Sequence, residues 1–359
     1  MWLKPLPVRL VWPSRGFTHA PTHLMRAIVI PFVFTLQLAP VPFVAITDPH
    51  PVSDYATAVL RVQLRQAEDD SVVAVGARSI FLGHGQKTPR VFVLLHGFTD
   101  APKQFEVLGT RFFSAGDNVY IPRLPHHAER GGRVRALGRI TAGELAAFGD
   151  STVDIARGLG DTVIVVGLSA GANIAASMAQ HRTDVYRTVL IAPALAAGRV
   201  SQDVTRGLVE IGSRLPNITR SEAPDSTRPD FIQGISTRGL AQVLRLGELV
   251  RADAARSSGA ARQIAFLLNH NDRTVNDQAA LDLARLWTVG SPLVSVFEFP
   301  TSLQLPHNVM EATERGGNLD VVLPVVEAIA LGTRIPDSVR YQFIMSEWNR
   351  PRDPSRPPN

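Results

Sequence analysis

Cysteine is absent from the 359 residues, which excludes disulfides, thiolate nucleophiles and cysteine-ligated metals. Its absence leaves the cellular compartment open. The zinc pattern H-E-x-x-H is missing too, and the adjacent His126 and His127 point in different directions. No metal and no cofactor is therefore expected. Basic residues outnumber acidic ones, 37 against 32, but the arginines are scattered and no basic run is interleaved with aromatics. A nucleic-acid partner thus has no support, whereas a formal charge of +5 suits contact with anionic lipid or an acidic substrate. No internal repeat is present. A content of 45% hydrophobic and 19% charged residues is that of a globular protein. The length suits one large α/β domain with an insertion, or two small domains.

The N-terminal part differs in kind. Residues 27–46, AIVIPFVFTLQLAPVPFVAI, carry no charge and follow Lys4, Arg9, Arg15 and Arg26. A bilayer takes about 20 apolar residues to cross, and basic residues ahead of an apolar run also fit an export signal. Pro31, Pro40, Pro42 and Gln37 interrupt a regular spanning helix. Residues 1–47 are expected to be a targeting or membrane-anchoring segment, giving an anchored or exported protein. The alternative is an apolar arm packed on the domain of a cytoplasmic protein. Met25 is an alternative start to Met1.

Residues 48–71 begin as a proline-rich linker and continue as a helix from about Ser53. VVAVGARSIFLG from Val72 reads as extended chain, and RVFVLLHG (90–97) as a buried strand. A helix over 101–116, a strand at NVYIPRL and a helix over 141–159 capped by Thr141 follow. TVIVVG is the next strand, SAGANIAASMAQ a helix and YRTVLIAP (186–193) another strand. Such alternation predicts an α/β fold with a mostly parallel central sheet covered on both faces. The rhythm breaks over 195–261, a polar, arginine-rich insertion expected to form a cap or lid. It returns with strand QIAFLLN (263–269), helix NDQAALDLARLW, strand LVSVFEF and helix LDVVLPVVEAIALG. The core is thus expected over 72–194 and 262–335. A C-terminal tail, 336–359, has the proline-rich end PRDPSRPPN, read as disordered.

Between strand and helix stands Gly167-Leu168-Ser169-Ala170-Gly171, a G-x-S-x-G pattern in the strand–turn–helix setting that the pattern requires. Ser169 either caps the helix or is a nucleophile held on the turn, and this setting favours the nucleophile. Gly167 and Gly171 relieve crowding there. A nucleophilic serine needs a base, and the base an orienting acid. His270 and His307 are the histidines that follow His181, and His270 shares a loop with the expected acid, so His307 is the base. Asp272 follows strand QIAFLL directly, whereas Asp277 opens the next helix. Asp272 is the preferred acid. The N–H groups of Ala170 and Phe98 are the candidate oxyanion donors, with Gly97 letting the backbone approach the substrate. His96 precedes this glycine and is expected to be a structural hydrogen-bonding group.

From about residue 72 to 332 the chain resembles the α/β-hydrolase superfamily. The resemblance rests on LLHGFTDAP (94–102), IPRLPHHA (121–128), GLSAG (167–171), LLNHNDRTVN (267–276) and LPHNVME (305–311). The HGFT form is similar to bacterial carboxylesterases and monoacylglycerol lipases. Similar esterases carry L-P-G-H-G where His126 and Ala128 replace the glycines here, and their acid loop has glycine at the position of Asn269. The resemblance implies a lid at 195–261 and a serine hydrolase that cleaves carboxylic esters through an acyl-enzyme, with a Ser169–His307–Asp272 triad. A serine at 169 argues against haloalkane or epoxide chemistry. A small-molecule or lipid-like ester is the expected partner, with membrane association through 27–46. A serine peptidase or amidase on the same fold, and a non-catalytic binding protein, are the alternatives.

Overall fold

Aliphatic and β-branched runs become the strands of one sheet, since a strand covered on both faces has no wet side to alternate with. The computed structural model describes residues 49–337, apart from 75, 131–132, 199, 222–231, 233 and 290–292. The apolar run 27–46 and the proline-rich end 351–359 lie outside the described residues. Among those described, no helix is long and apolar enough to cross a membrane.

The chain enters through α1 (Tyr55–Val72), β1 (Ile80–Leu82), β2 (Thr88–Leu95), α2 (Glu106–Ser114) and β3 (Asn118–Ile121). It continues through α3 (Arg133–Leu137), α4 (Ala142–Leu159), β4 (Gly160–Leu168), α5 (Ala170–His181) and β5 (Val185–Ile191). Between β5 and the next sheet strand lie α6 (Gln202–Arg214), the short pair β6 (Thr219–Ser221) and β7 (Gly234–Ser236), and α7 (Thr237–Ala254). β8 (Gln263–Asn269), α8 (Asp277–Thr288), β9 (Leu293–Phe299) and α9 (Leu319–Leu331) complete the described chain.

The main sheet has the order β1-β3-β2-β4-β5-β8-β9. β1 runs antiparallel to β3, and the other neighbours are parallel. Successive residues of one strand feed opposite cores. Val163 and Val165 of β4 pack with α1, α4, α5, α7 and α8, while Ile164 and Val166 pack with α2 and α9. The period of two along a strand and the 3.6-residue period of its flanking helices therefore meet in two apolar layers.

Thr141 caps α4 as expected, its side chain accepting from the Glu144 N–H at 3.1 Å. The expected helix over 101–116 divides: Pro102–Phe105 forms a 3₁₀ turn, and α2 starts only at Glu106. Among the described residues of the extended stretch after Val72, only Ile80–Leu82 joins the main sheet. Just before it, the Ser79 N–H is taken by the buried Asp69 carboxylate at 2.8 Å instead of by a strand partner. The short helix α3 carries no signal that the periodicity anticipated.

The stretch between β5 and β8 is not uniform. α6 is amphipathic and leaves Val204, Leu208 and Ile211 exposed. α7 instead buries Val243, Leu246 and Val250 in the same core as α5 and α8.

Candidate active site

β4 stops at Leu168 and α5 starts at Ala170, so the whole turn falls on one residue. Ser169 takes φ 55° and ψ −110°, a conformation that costs an L-residue about 1–3 kcal/mol. The flanking glycines make that turn possible. A Cβ on Gly167 would lie 2.4 Å from the Gly171 carbonyl oxygen, and one on Gly171 would lie 2.1 Å from the Leu95 carbonyl oxygen. Both contacts are with backbone, which has no room to yield. Ser169 occupies the N-cap position, yet its side chain makes no capping hydrogen bond. The helix-cap alternative is thereby set aside.

Its hydroxyl instead lies 3.0 Å from His307 Nε2. On the other side of the ring, His307 Nδ1 lies 2.5 Å from Asp272 Oδ2. The second Asp272 oxygen accepts the N–H groups of Thr274 at 2.7 Å and Val275 at 3.3 Å, which fixes the carboxylate in its loop. Three loops meet here, after β4, β8 and β9, all at the carboxyl ends of parallel strands, where open α/β sheets gather their sites.

Asn269, at the position where the resembling sequences have glycine, has a use of its own. Its amide donates to the carbonyls of Leu305 at 3.0 Å and Pro306 at 2.8 Å, tying β8 to the segment just before His307. His270 stays apart from the chain and pairs with Glu298 at 2.8 Å. Asp277 is the first residue of α8, capped by Asn276. Burial, reinforced by the negative charges of Asp272 and Glu298, pushes its carboxyl up to about 7.

The loop after β2 brings the Phe98 N–H to the same place. Neither the Phe98 nor the Ala170 N–H has a hydrogen-bond partner among the described residues. His96 helps to set how the first of these points, together with the Asp100 N–H, which also donates to the Gly97 carbonyl at 3.3 Å. The Leu124 N–H donates to His96 Nε2 at 3.1 Å, so the ring proton sits on Nδ1 and is donated to the Gly97 carbonyl at 2.9 Å. In a trans peptide the C=O and the next N–H point in opposite directions. Holding the Gly97 carbonyl back on His96 therefore turns the Phe98 N–H away from it. Burial holds the His96 ring well below the usual imidazole range, so it stays neutral. A Cβ on Gly97 would meet Leu168 Cδ2 at 3.4 Å, an ordinary contact, so no protein neighbour demands that glycine.

His127 packs edge-on behind this loop, with ring centroids 5.1 Å from His96 and 5.9 Å from Phe98. Burial pushes its ring down to about 4. Its neighbours His126 and Ala128 take φ 63° and 54°, the left-handed backbone that glycine adopts freely. The substituted glycine positions of the LPHHA loop thus keep glycine geometry. His126 is held in it by Glu129 at 3.0 Å and Glu144 at 3.1 Å.

Ser169 and His307 open on a cavity of about 300 Å³, walled by Phe98, Leu168, Leu240, Leu244 and Val275. Leu240 and Leu244 come from α7, inside the inserted stretch. Sequence reasoning did not single out Asp100, Gln104 and Asn308, which form a buried hydrogen-bonded group beside the Phe98 loop. Asp100 and Asn308 stand inside the quoted motifs LLHGFTDAP and LPHNVME, and that adjacency was the available signal. Among the described residues, no cluster of three or more His, Asp or Glu side chains could hold a metal ion.

Residues 92–314 match the model of the alpha/beta hydrolase family. The chain belongs to that family. It is 31% identical over 157 residues to a thermostable monoacylglycerol lipase of Bacillus sp. (strain H-257), a match that covers 40% of this chain and 58% of that protein. Among solved structures, one of the metagenome-derived lipolytic enzymes LipS and LipT superposes with a TM-score of 0.56 at 15% identity, covering 72% of this chain and 99% of its own. A monoacylglycerol lipase of Paleococcus ferrophilus gives 0.53 at 20% identity, with coverage of 71% and 98%. At these identities the superpositions establish the fold.

Proposed function

We propose that the protein is a serine hydrolase that cleaves carboxylic esters through an acyl-enzyme. The observation that carries this reading is the continuous path from Asp272 Oδ2 through His307 to Ser169 Oγ, at 2.5 and 3.0 Å. Similarity to a monoacylglycerol lipase supports the ester as substrate class.

Ser169 Oγ attacks the ester carbonyl while its proton passes to His307 Nε2. Asp272 keeps the imidazole in the required tautomer and stabilises the cation that forms. The Phe98 and Ala170 N–H groups receive the developing oxyanion. As the tetrahedral intermediate collapses, the C–O bond to the alcohol breaks and the leaving oxygen takes the proton from His307. Water then attacks the acyl-enzyme with His307 as base, and the proton returns to Ser169 as the acid departs. The apolar wall of Phe98, Leu240, Leu244 and Val275 suits an acyl chain. A cavity of about 300 Å³ stands at the small end of ligand sites, which run from about 300 to 1,000 Å³. Short acyl groups are therefore expected to be the preferred substrates.

An ester chain-length series, p-nitrophenyl acetate through palmitate, tests the reading on the full chain beside Ser169→Ala. Turnover is expected with short acyl groups, and Ser169→Ala is expected to lower it by roughly 10⁴-fold or more. Near-parental ester turnover in purified Ser169→Ala would remove the mechanism.

A further inference from the structure

Asp100, Gln104 and Asn308 form a closed ring of side chains. Gln104 Nε2 donates to Asp100 Oδ2 and to Asn308 Oδ1, each at 2.9 Å, and Asn308 Nδ2 donates to the same Asp100 oxygen at 3.0 Å. Gln104 Oε1 accepts the Gly97 N–H at 2.8 Å. The orientation of both amides follows from these partners. Flipping Gln104 would set its oxygen against the Asp100 carboxylate and its NH₂ against the Gly97 N–H. All three side chains are buried, at 4%, 7% and 7% exposure.

The ring joins parts of the molecule that the sheet leaves apart. Gly97 and Asp100 belong to the loop after β2, and Asn308 follows His307 on the loop after β9. β4, β5 and β8 lie between β2 and β9 in the sheet, so no backbone ladder fixes one loop against the other. Asn269 anchors the His307 loop to β8, which is separated from β2 by β4 and β5. Among the described residues, the side chains of this ring link the Phe98 loop to the loop that carries His307. A buried carboxylate is costly unless its hydrogen bonds are met, and apolar side chains of like volume fill such space at no loss of stability in many proteins. What a polar ring adds is a fixed geometry.

We infer that Gln104, Asp100 and Asn308 are positioning residues that hold the Phe98 N–H and His307 at the separation the reaction needs. This rests on the serine-hydrolase reading above. In that reaction one carbonyl group is attacked under the control of His307 while its oxygen settles against the Phe98 N–H. The two loops must therefore agree to a fraction of an ångström, and a misplacement of about 1 Å costs on the order of 10²-fold in rate.

Gln104→Ala and Asn308→Ala, singly and together, provide the test in the full chain, with p-nitrophenyl butyrate as substrate. Each single change is expected to lower kcat by roughly 10- to 100-fold with KM held within about threefold. Affinity for a trifluoromethyl ketone, which forms a tetrahedral adduct with the serine, is expected to fall by a similar factor. Because one cut opens the ring, the double variant is expected to lose little beyond the worse single one. If Gln104→Ala does not fold, Gln104→Leu, which is close in volume and has no donor for Asp100 or Asn308, takes its place, with folding checked by near-ultraviolet circular dichroism. Parental turnover that depends on Ser169 but stays within twofold in the folded variants overturns the positioning role alone. A rise in KM with kcat unchanged overturns it as well, since it marks lost substrate binding. Absence of Ser169-dependent turnover in the parental chain overturns the hydrolase reading and the positioning role together.

Discussion

Positive φ at a residue other than glycine is a local expense, and the described residues that bear it do so for different ends. Ser169 takes it because the turn between β4 and α5 leaves one residue to reverse the chain. His126 takes it between two carboxylates. Gln304 closes the 3₁₀ turn Thr301–Leu303 at φ 49°, exposed on the surface. Left-handed backbone costs an L-residue roughly 1–2 kcal/mol, which glycine escapes. Gln304→Gly is therefore expected to stabilise the protein by about 1 kcal/mol, read as a higher midpoint in urea unfolding at unchanged slope. A midpoint at or below the parental one would mean that the loop before His307 gains nothing from relief at this position.

The element that carries Ser169 was legible in the sequence because its parts are contiguous: an apolar run, two glycines around a serine, then a helical pattern. The crowding that makes those glycines necessary appears only in three dimensions, where Leu95 of the neighbouring strand closes on Gly171. Gly171→Ala is expected to destabilise the protein by about 2 kcal/mol or more, as overpacking against an unyielding neighbour does, and to abolish fluorophosphonate labelling of Ser169. Gly207, within α6, has nothing within 4 Å of its Cβ position. There Gly207→Ala is expected to stabilise by about 0.5–1 kcal/mol through helix propensity alone. Equal effects in paired urea melts would mean that the elbow is not crowded. Elements with long periodic patterns, such as β4, α4 and α5, were equally legible. α7 was not placed in the core, because its pattern sits in a polar, arginine-rich stretch and its partners lie on α5 and α8. The pairing within the Asp100–Gln104–Asn308 ring was not legible: beyond the place of Asp100 and Asn308 inside quoted motifs, nothing local links Asn308 to Gln104 and Asp100, which stand 204 and 208 residues away.

At the scale of the whole molecule, the neutral histidines behind the Phe98 loop make folding sensitive to acid. His127 is pushed down to about 4 by burial, whereas the unfolded chain binds that proton near pH 6.5. Between these values the unfolded state holds more protons, so stability rises with pH across the window and is lost as pH falls through it. The contribution of this residue is about 3 kcal/mol at the acid end. His127→Asn offers an amide N–H for the Pro125 carbonyl that His127 Nδ1 now reaches at 2.9 Å, and it has no proton to gain. Its stability is expected to vary less than the parental protein's between pH 6.5 and 4 in urea melts, and an equally steep profile would assign the acid sensitivity to other groups. The same large-scale arrangement bears on synthesis. Ser169 and its turn emerge from the ribosome 138 residues before His307, its hydrogen-bond partner. On the proposed mechanism, a nascent or truncated chain that stops short of His307 carries the serine without its base, so its hydroxyl is expected to stay inert while the protein is still being made.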